Sequence, residues 1–384
     1  MDNLTHSLVG LAASKAGLEK LSPHASLCSI VAANAPDADI AVILFGDRWT
    51  YLEHHRGITH SIVGTLLLAL FVPLLFYGLD RLISKLRGRA PAIKVKGLIV
   101  TSLVVSATHP LLDWSNNYGV RPLLPWSAEW FYGDLVFIID PFMWVMFGGA
   151  CFLLAKTRRQ AIFWLVLAIV LTYLVIAMPA RRGIETGWPL RVLWIIAILG
   201  LAISFMLNAG KRWGNRIATA AFAIVGLYIG SLALLHQAAV SEVREQARAI
   251  ANQNGESVTD LAAMPTLANP FNWLCIVETE FAAYRFELSL LSGRNAAAGF
   301  VRHERGDISD SPAVEKAWQD RRAQIFLRFA RFPVARVVGA DCLTETLVQF
   351  ADLRYTQPGS TRGTFSLELP VECPTRPIVG SNTE

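Results

Sequence analysis

The sequence predicts a mainly α protein, with a polytopic helical membrane domain followed by a small α+β extramembrane domain. Of the 384 residues, 53% are hydrophobic and only 17% are charged, whereas soluble domains are nearer a quarter charged. Several apolar runs are long enough to cross a hydrocarbon core of ~30 Å as helix. The last third of the chain instead contains short segments in which apolar and polar residues alternate, as they do in half-buried strands.

The apolar runs define the membrane part. Five long runs predict membrane-spanning helices, at residues 62–79, 136–155, 161–178, 191–207 and 217–235. A shorter run at 97–112 ends beside His109 and Asp113. Two weaker runs, 4–18 and 25–45, are short spans or interfacial helices, and Pro36 interrupts the second. After residue 235, strands are expected within 271–291, 347–355 and 364–371, and a helix at 311–330.

The distribution of Lys and Arg predicts the orientation. The linkers 81–97, 156–160 and 209–216 are basic and alternate with less basic loops, so the positive-inside rule places them in the cytoplasm. The loops 46–61 and 113–135 and everything after residue 235 are then outside. We expect three regions: a membrane-embedded metal-site domain at 1–145, additional transmembrane helices at 146–235, and an extracytoplasmic α+β domain at 236–384. The net charge of +5 is explained by these linkers, and no nucleic-acid partner is expected.

Histidines are concentrated at the start of the chain, where the first 109 residues hold six of eight. Two nearly identical hexapeptides, THSLVG at 5–10 and THSIVG at 59–64, each open an apolar helix. Because Thr is a good N-cap, we predict that Thr5 and Thr59 cap these helices. His6 and His60 would then lie in a first turn at the membrane surface, where an imidazole without a partner is costly.

Carboxylates from two other segments supply partners for these histidines. Asp37 and Asp39 interrupt the second apolar run, and His109 and Asp113 are spaced i, i+4. On a helix expected to begin at Pro110, that spacing puts both side chains on one face. The orientation derived from Lys and Arg brings all these groups to the outer face. Imidazole with carboxylate suits Zn²⁺, with Mn²⁺ or Fe²⁺ as alternatives. The predicted ligands of this divalent metal are His6, Asp37, His60, His109 and Asp113.

Neighbouring residues are candidates for catalysis and substrate binding. Asp39 or His55 could act as a general base. Arg56 and Arg121 carry forked cations suited to a phosphate ester, although contact with a lipid headgroup explains Arg56 equally well. Asn116 is assigned to the same substrate group, and a turn alone would also account for it.

Three functions are compatible with these features: a metal-dependent hydrolase of an ester or phosphoester of a lipid or lipid-like molecule, an ion-binding transporter, and a non-catalytic membrane scaffold. Intramembrane His and Asp also line ion pathways. The candidate ligands, however, cluster at one end, and the runs 161–178 and 217–235 contain no acidic residue or His. The sequence therefore favours the hydrolase.

The motifs MDNLTHSLVG, APDAD, HHRGITHS and ATHPLLDWSNNYGVRPLLP resemble the inner-membrane-bound metal-dependent hydrolase family (YdjM/YbcI type). The resemblance covers residues 1–145 and implies a hydrolase of the bacterial inner membrane. The order of His6, Asp37, His60, His109 and Asp113 is also distantly similar to the ligand order of the zinc-dependent phospholipase C and P1 nuclease group, which cleaves phosphate esters. The later ligands of that group have no counterpart here, so one or two metals are expected.

Overall fold

The computed structural model describes residues 1–181, 188–291, 297–305, 311–339, 346–359 and 365–372. The chain divides into two compact units. The first comprises Met1–Phe45, His54–Gln237 and Met264–Asn272, and the second comprises Gly46–Glu53, Ala238–Ala263 and the chain from Trp273 onward. The three-region division at residues 145 and 235 remains a prediction.

Helices dominate the chain. The bent segment Pro36–Phe45 is a 3-10 helix, and Ile58–His60 is a single 3-10 turn. The α-helices, in chain order, are α1 (Asn3–Ala16), α2 (Ala25–Asn34), α3 (Arg48–His54), α4 (Ile62–Leu86), α5 (Val95–Trp114), α6 (Pro141–Leu153), α7 (Arg158–Thr172), α8 (Met178–Arg181), α9 (Trp188–Met206), α10 (Ala209–Trp213), α11 (Arg216–Asn254), α12 (Pro312–Trp318) and α13 (Arg321–Phe329).

Within the described residues, four helices are long and apolar enough to cross a membrane: α4, α5, α11, and α7 together with its π-helical continuation to Ala177. A fifth span results if α2 and the 3-10 helix after it, bent by 58°, are one broken span. The predicted class of a helical membrane region followed by a small domain with two antiparallel sheets is confirmed.

The predicted span at 136–155 is wrong in length. Helix α6 begins only at Pro141, where the Asp140 carboxylate accepts hydrogen bonds from the backbone N–H groups of Phe142 and Met143. Its 13 residues rise only about 20 Å, less than a hydrocarbon core. The proline and its acidic cap therefore shorten a run that hydrophobicity alone makes continuous.

Both predicted Thr caps are also wrong. Asp2 caps α1 by accepting from the backbone N–H of Thr5, and Ser61 caps α4 by accepting from that of Gly64. Thr59 instead lies in the 3-10 turn that precedes α4. The predicted helix start at Pro110 is wrong as well, because Pro110 lies within α5. Membrane helices tolerate such a proline when neighbouring groups satisfy the freed backbone.

Glycines at equivalent places in the two THS motifs allow the close contacts that assemble this region. A Cβ at Gly10 would lie 2.7 Å from the carbonyl oxygen of Ser29. The backbone of α1 therefore lies directly against the backbone of α2 at this point. A Cβ at Gly64 would lie 1.7 Å from the carbonyl oxygen of Ile58, directly against the 3-10 turn. Glycine is therefore required where each motif meets its neighbour.

The second unit is the small α+β domain. Its seven strands form two sheets, with the orders β1-β2-β3-β4 and β5-β6-β7. Helices α12 and α13 pack on the second sheet, and Trp49 from the segment Gly46–Glu53 is buried in the same core. A single helix was expected at 311–330, but Asp320 caps α13 and separates it from α12. The strands are β1 (Val258–Thr266), β2 (Asn269–Thr279), β3 (Ala282–Ser289), β4 (Ala297–Glu304), β5 (Pro333–Val338), β6 (Thr346–Asp352) and β7 (Ser366–Val371).

Candidate metal centre

Four of the five predicted metal ligands converge in the first unit. Asp37, His60, His109 and Asp113 each direct one ligand atom into a group whose members all lie within 4.8 Å of one another. Asp37 is on the 3-10 helix after α2, His60 ends the 3-10 turn, and His109 and Asp113 lie one turn apart near the end of α5. The two histidines are fully buried, and the Asp37 side chain is 15% exposed.

The distances within this group match a tetrahedral ligand set. Nε2 of His60 lies 3.1 Å from Nε2 of His109 and 3.2 Å from Oδ1 of Asp37. Oδ2 of Asp113 lies 3.4 Å from Nε2 of His60 and 3.5 Å from that of His109, which is 3.6 Å from Oδ1 of Asp37. Zinc bonds to N and O of about 2.0–2.1 Å give a tetrahedron with edges of about 3.3–3.4 Å. These five of the six ligand–ligand distances therefore lie close to the edges expected around a divalent ion.

The outer ring nitrogens fix the tautomers of both histidines. Nδ1 of His109 lies 2.6 Å from the carbonyl oxygen of Ala33, which can only accept, so Nδ1 carries the proton. Nδ1 of His60 lies 3.1 Å from the hydroxyl of Thr59, which itself donates to Asp39, so this Nδ1 is also a donor. As a neutral metal ligand, each ring would present Nε2 and its lone pair to the cluster. Such outer hydrogen bonds orient the imidazoles of metal sites.

The Nε2 atoms of two histidines and one oxygen from each of two carboxylates therefore face one another in a largely buried space. Oδ2 of Asp113 has no hydrogen-bond partner among the described residues. A buried anionic oxygen without a donor is costly. A cation at the centre of the group would satisfy all four atoms at once.

His6, the fifth predicted ligand, lies beside this group and not within it. Its ring stacks on His109 with centroids 3.8 Å apart, and its Nε2 lies 3.4 Å from Oδ1 of Asp113. The residue is 1% exposed, and neither ring nitrogen has a hydrogen-bond partner among the described residues. The α-amino group of Met1 also contacts Oδ1 of Asp113. His6 is close enough to join the ligand set after a small movement.

Asp39 and His55 lie on the open side of the cluster. With Asp37 they form a second group of potential ligand atoms within 4.8 Å of one another. Oδ1 of Asp39 lies 3.2 Å from Nδ1 of His55, and its Oδ2 accepts from the backbone N–H of Arg56. Burial lowers the pKa of His55, although the Asp39 carboxylate opposes this shift. His55 is therefore neutral near pH 7, as a general base must be.

Arg56 points inward. Its guanidinium donates to both the side chain and the backbone carbonyl of Asp113, to the side chain of Asn116 and to the carbonyl of Gly119, and it stacks over the Tyr118 ring at 4.5 Å. The residue is 3% exposed. With its donors directed at the protein, Arg56 is arranged to hold Asp113 in place more than to contact a substrate.

The other two predicted substrate residues differ in position. Asn116 is buried, and its side-chain oxygen accepts from Arg56 and from the backbone N–H of Tyr118. Arg121 is half-buried, donates to the carbonyl oxygen of His55 at 3.3 Å and stacks over Trp130 at 4.6 Å. Of the two predicted substrate-binding arginines, Arg121 lies nearer to solvent.

Three residues of the site were not predicted from the sequence. Thr59 bridges His60 and Asp39, Asn3 donates to Oδ2 of Asp37 at 2.8 Å, and Tyr118 stacks on Arg56. Asn3 precedes His6 by three residues, and this spacing, which puts both side chains on one face of a helix, was the sequence feature that could have indicated Asn3. The contacts of Thr59 and Tyr118 depend on tertiary structure and have no signature in the sequence.

Comparison with known proteins agrees with the motifs. The family model described as YdjM inner membrane protein matches residues 1–184. The E. coli inner membrane protein YbcI is 33% identical over 132 residues, which is 34% of this chain and 70% of that protein. Bacillus subtilis YfhP is 28% identical over 155 residues, which is 38% of this chain and 43% of that protein, so less than half of YfhP is matched. No solved structure matches the chain.

All residues of the candidate metal centre lie within the matched region. The family and the apolar helices together support a membrane location. The resemblance noted from the four motifs is thereby confirmed: the chain belongs to the YdjM inner membrane protein family.

Proposed function

We propose that this protein is a membrane-bound metal-dependent hydrolase of an ester or phosphoester of a lipid or lipid-like molecule. The observation that carries the proposal is the convergence of two imidazole nitrogens and two carboxylate oxygens, with five of their six separations between 3.1 and 3.6 Å, close to the edges of a tetrahedral metal site. Zn²⁺ suits this ligand set best, and Mn²⁺ or Fe²⁺ are alternatives. The distant similarity to the phospholipase C and P1 nuclease group favours a phosphoester, with one or two metals.

The residues divide into roles. Asp37, His60, His109 and Asp113 would hold the ion, and expansion to five-coordination would admit a water or an ester oxygen. His6 would enter the ligand set by replacing one of these four side chains. The chemistry that a divalent ion supplies is Lewis-acid activation of an ester oxygen and of water. His55 is the proposed general base: its Nδ1–H donates to Asp39, which leaves Nε2 to take a proton. Arg121 would contact an anionic ester group. Arg56 would hold Asp113 in place, and Asn116 would position the guanidinium of Arg56.

Exposure indicates how a substrate would reach the centre. His60 and His109 are fully buried, whereas the side chains of Asp37 and His55 are each 15% exposed. The side of the cluster nearer to solvent is therefore the side on which His55, the proposed base, lies. A site at the end of membrane helices suits a substrate that lies in the bilayer, with its ester near the interface.

The proposed topology is multi-pass in the bacterial inner membrane, with the α+β domain outside the cytoplasm. Its support is the alternation of basic linkers under the positive-inside rule. An alkaline phosphatase fusion after residue 372 should be active if the domain is outside. An inactive fusion together with a fluorescent cytoplasmic reporter at the same position would reverse the orientation.

Hydrolysis is tested with detergent-purified full-length protein, loaded with Zn²⁺ or Mn²⁺ and offered chromogenic phosphodiesters and carboxylic esters of increasing chain length. We expect turnover by the wild type that is lost in His60→Ala. The control is His24→Ala, because His24 is exposed and lies outside the cluster. Turnover that is unchanged in a folded His60→Ala protein would refute the hydrolase. A metal-loaded protein that turns over no ester would instead favour ion binding.

A further inference from the structure

A cavity with basic side chains lies in the first unit, at the other end of α1 from His6. Its volume is about 350 Å³, and it is bordered by the end of α1, the α6–α7 linker and α10. Three lysines from separate segments converge on it: Lys15, Lys156 and Lys211. Lys15 lies nine positions after His6, which corresponds to about 13 Å along the helix, so this cavity is separate from the candidate metal centre.

The charge in this cavity is only partly compensated. Glu19 accepts from Lys15 at 2.7 Å and from Lys156 at 3.1 Å. Lys211 makes no ion pair with any residue in the described part of the chain. Three lysines and one carboxylate leave two net positive charges around the cavity. A ligand with an anionic group is therefore the complementary occupant.

A second, apolar cavity is lined in part by α1 and α6, which also border the first cavity. Its volume is about 120 Å³, and it lies between α1, α6, α7 and α9. Helix α1 contributes Leu8 to the apolar cavity and Lys15 to the polar one, and α6 contributes Phe152 and then Leu153. Trp164 of α7 lines the apolar cavity, and Lys156 precedes that helix. On each element, the polar lining lies toward the same end.

Measured along α1, the two cavities fit within the thickness of one membrane leaflet. The seven residues from Leu8 to Lys15 span about 10 Å of helix, less than the ~15 Å of one hydrocarbon leaflet. Trp213 on α10 is 52% exposed, as is typical of tryptophans at a membrane interface. Gly148 and Leu8 both line the apolar cavity, and a Cβ at Gly148 would lie 3.8 Å from Leu8. The absence of a side chain at Gly148 therefore leaves space in the cavity.

We propose that this pair of cavities binds one anionic glycerophospholipid, with its phosphate among the three lysines and an acyl chain in the apolar cavity. Basic pockets between membrane helices bind anionic headgroups in this way. The site is independent of the proposed hydrolase, because it shares no residue with the metal cluster. The lipid would stabilise the packing of α1 against α6 and α7, and it is not the substrate.

The test is native mass spectrometry of the full-length protein in mild detergent, with phosphatidylglycerol and phosphatidylcholine of identical acyl chains as probes. We expect one phosphatidylglycerol to be retained in preference to phosphatidylcholine. Lys156→Gln/Lys211→Gln should weaken retention roughly thirty-fold, from about fivefold per lysine near a headgroup. Gly148→Leu should weaken it by filling the apolar cavity. The control Lys85→Gln/Lys94→Gln removes the same charge from exposed positions on another linker and should bind as the wild type does.

Three outcomes would overturn the proposal. Equal retention of the two lipids would exclude the basic cavity as a headgroup site. An equal loss in the control pair would show general attraction of lipid to a basic surface. Displacement by inorganic phosphate with no effect of Gly148→Leu would show a free-anion site. Metal content and gel-filtration profile establish that each variant is folded. If Lys156→Gln/Lys211→Gln does not fold, the effect of Gly148→Leu on lipid retention tests the proposal.

Discussion

Replacing Arg56 with Met tests whether this arginine positions the cluster. Its guanidinium makes four N–H···O contacts of 3.0–3.2 Å, two of them to Asp113. Arg56→Met would take the guanidinium away from the buried Asp113 carboxylate, which would keep its contact with the α-amino group of Met1. Breaking a buried ion pair on one side costs about 3–5 kcal/mol. We therefore expect a loss of this size in the free energy of unfolding, and weaker metal binding because Asp113 is no longer held.

Arg89→Met is the matched control. Arg89 also pairs with an aspartate, Asp80, at 3.5 Å, but its side chain is 50% exposed. A pair of this kind contributes about 0–1 kcal/mol. The assay is denaturant unfolding of the full-length protein in detergent, with zinc titration of each variant. If Arg56→Met unfolds as Arg89→Met does and binds zinc as the wild type does, Arg56 does not position the cluster, and the substrate-binding role would regain support.

Three further predictions follow from particular contacts. Asp39→Ala removes the carboxylate that orients His60 and should weaken zinc binding about 10–100-fold, measured by competition with a chelating dye; unchanged affinity would contradict this role. Gly64→Ala places a Cβ against the carbonyl of Ile58 and should destabilise the protein by about 1–3 kcal/mol or more. Gly78→Ala in the same helix has open space and should be neutral or stabilising, and equal melting temperatures would refute the steric argument. Burial raises the pKa of Glu278 above its usual value, so stability present below the unfolded-state pKa is lost as pH rises through the folded-state pKa. Glu278→Gln should therefore raise the melting temperature at pH 8 and leave it unchanged at pH 4; the opposite pattern would contradict the shift.

Much of the fold prediction came from helical periodicity in the sequence. The spacing of His109 and Asp113 places both on one face of α5 wherever that helix begins, so the error at Pro110 did not affect their pairing. Hydrophobicity similarly identified α4, α7 and α11, because their apolar runs are long and contain few charges. The predicted α6 failed because Asp140 and Pro141 start a helix inside a run that is apolar on both sides.

Contacts between distant segments were beyond prediction. The hydrogen bond from Thr59 to Asp39 depends on the 58° bend after α2, and no local pattern gives that angle. The inward direction of Arg56 was missed because an arginine in a polar loop has the same sequence context whether it faces solvent or protein. The caps at Asp2 and Ser61 were missed because the two similar motifs lie differently on their helices: the first lies inside α1, which begins before Thr5, and the second ends at the cap of α4.

The central claim is that Asp37, His60, His109 and Asp113 bind one divalent ion. The most direct measurement is the metal content of detergent-purified protein by elemental mass spectrometry, after reconstitution with zinc or manganese and removal of excess metal. The wild type and His24→Ala should contain close to one equivalent, as expected for a four-ligand site, and His109→Ala close to none. Wild-type protein without metal, or equal metal in all three proteins, would contradict the claim and leave the cluster as a buried polar network.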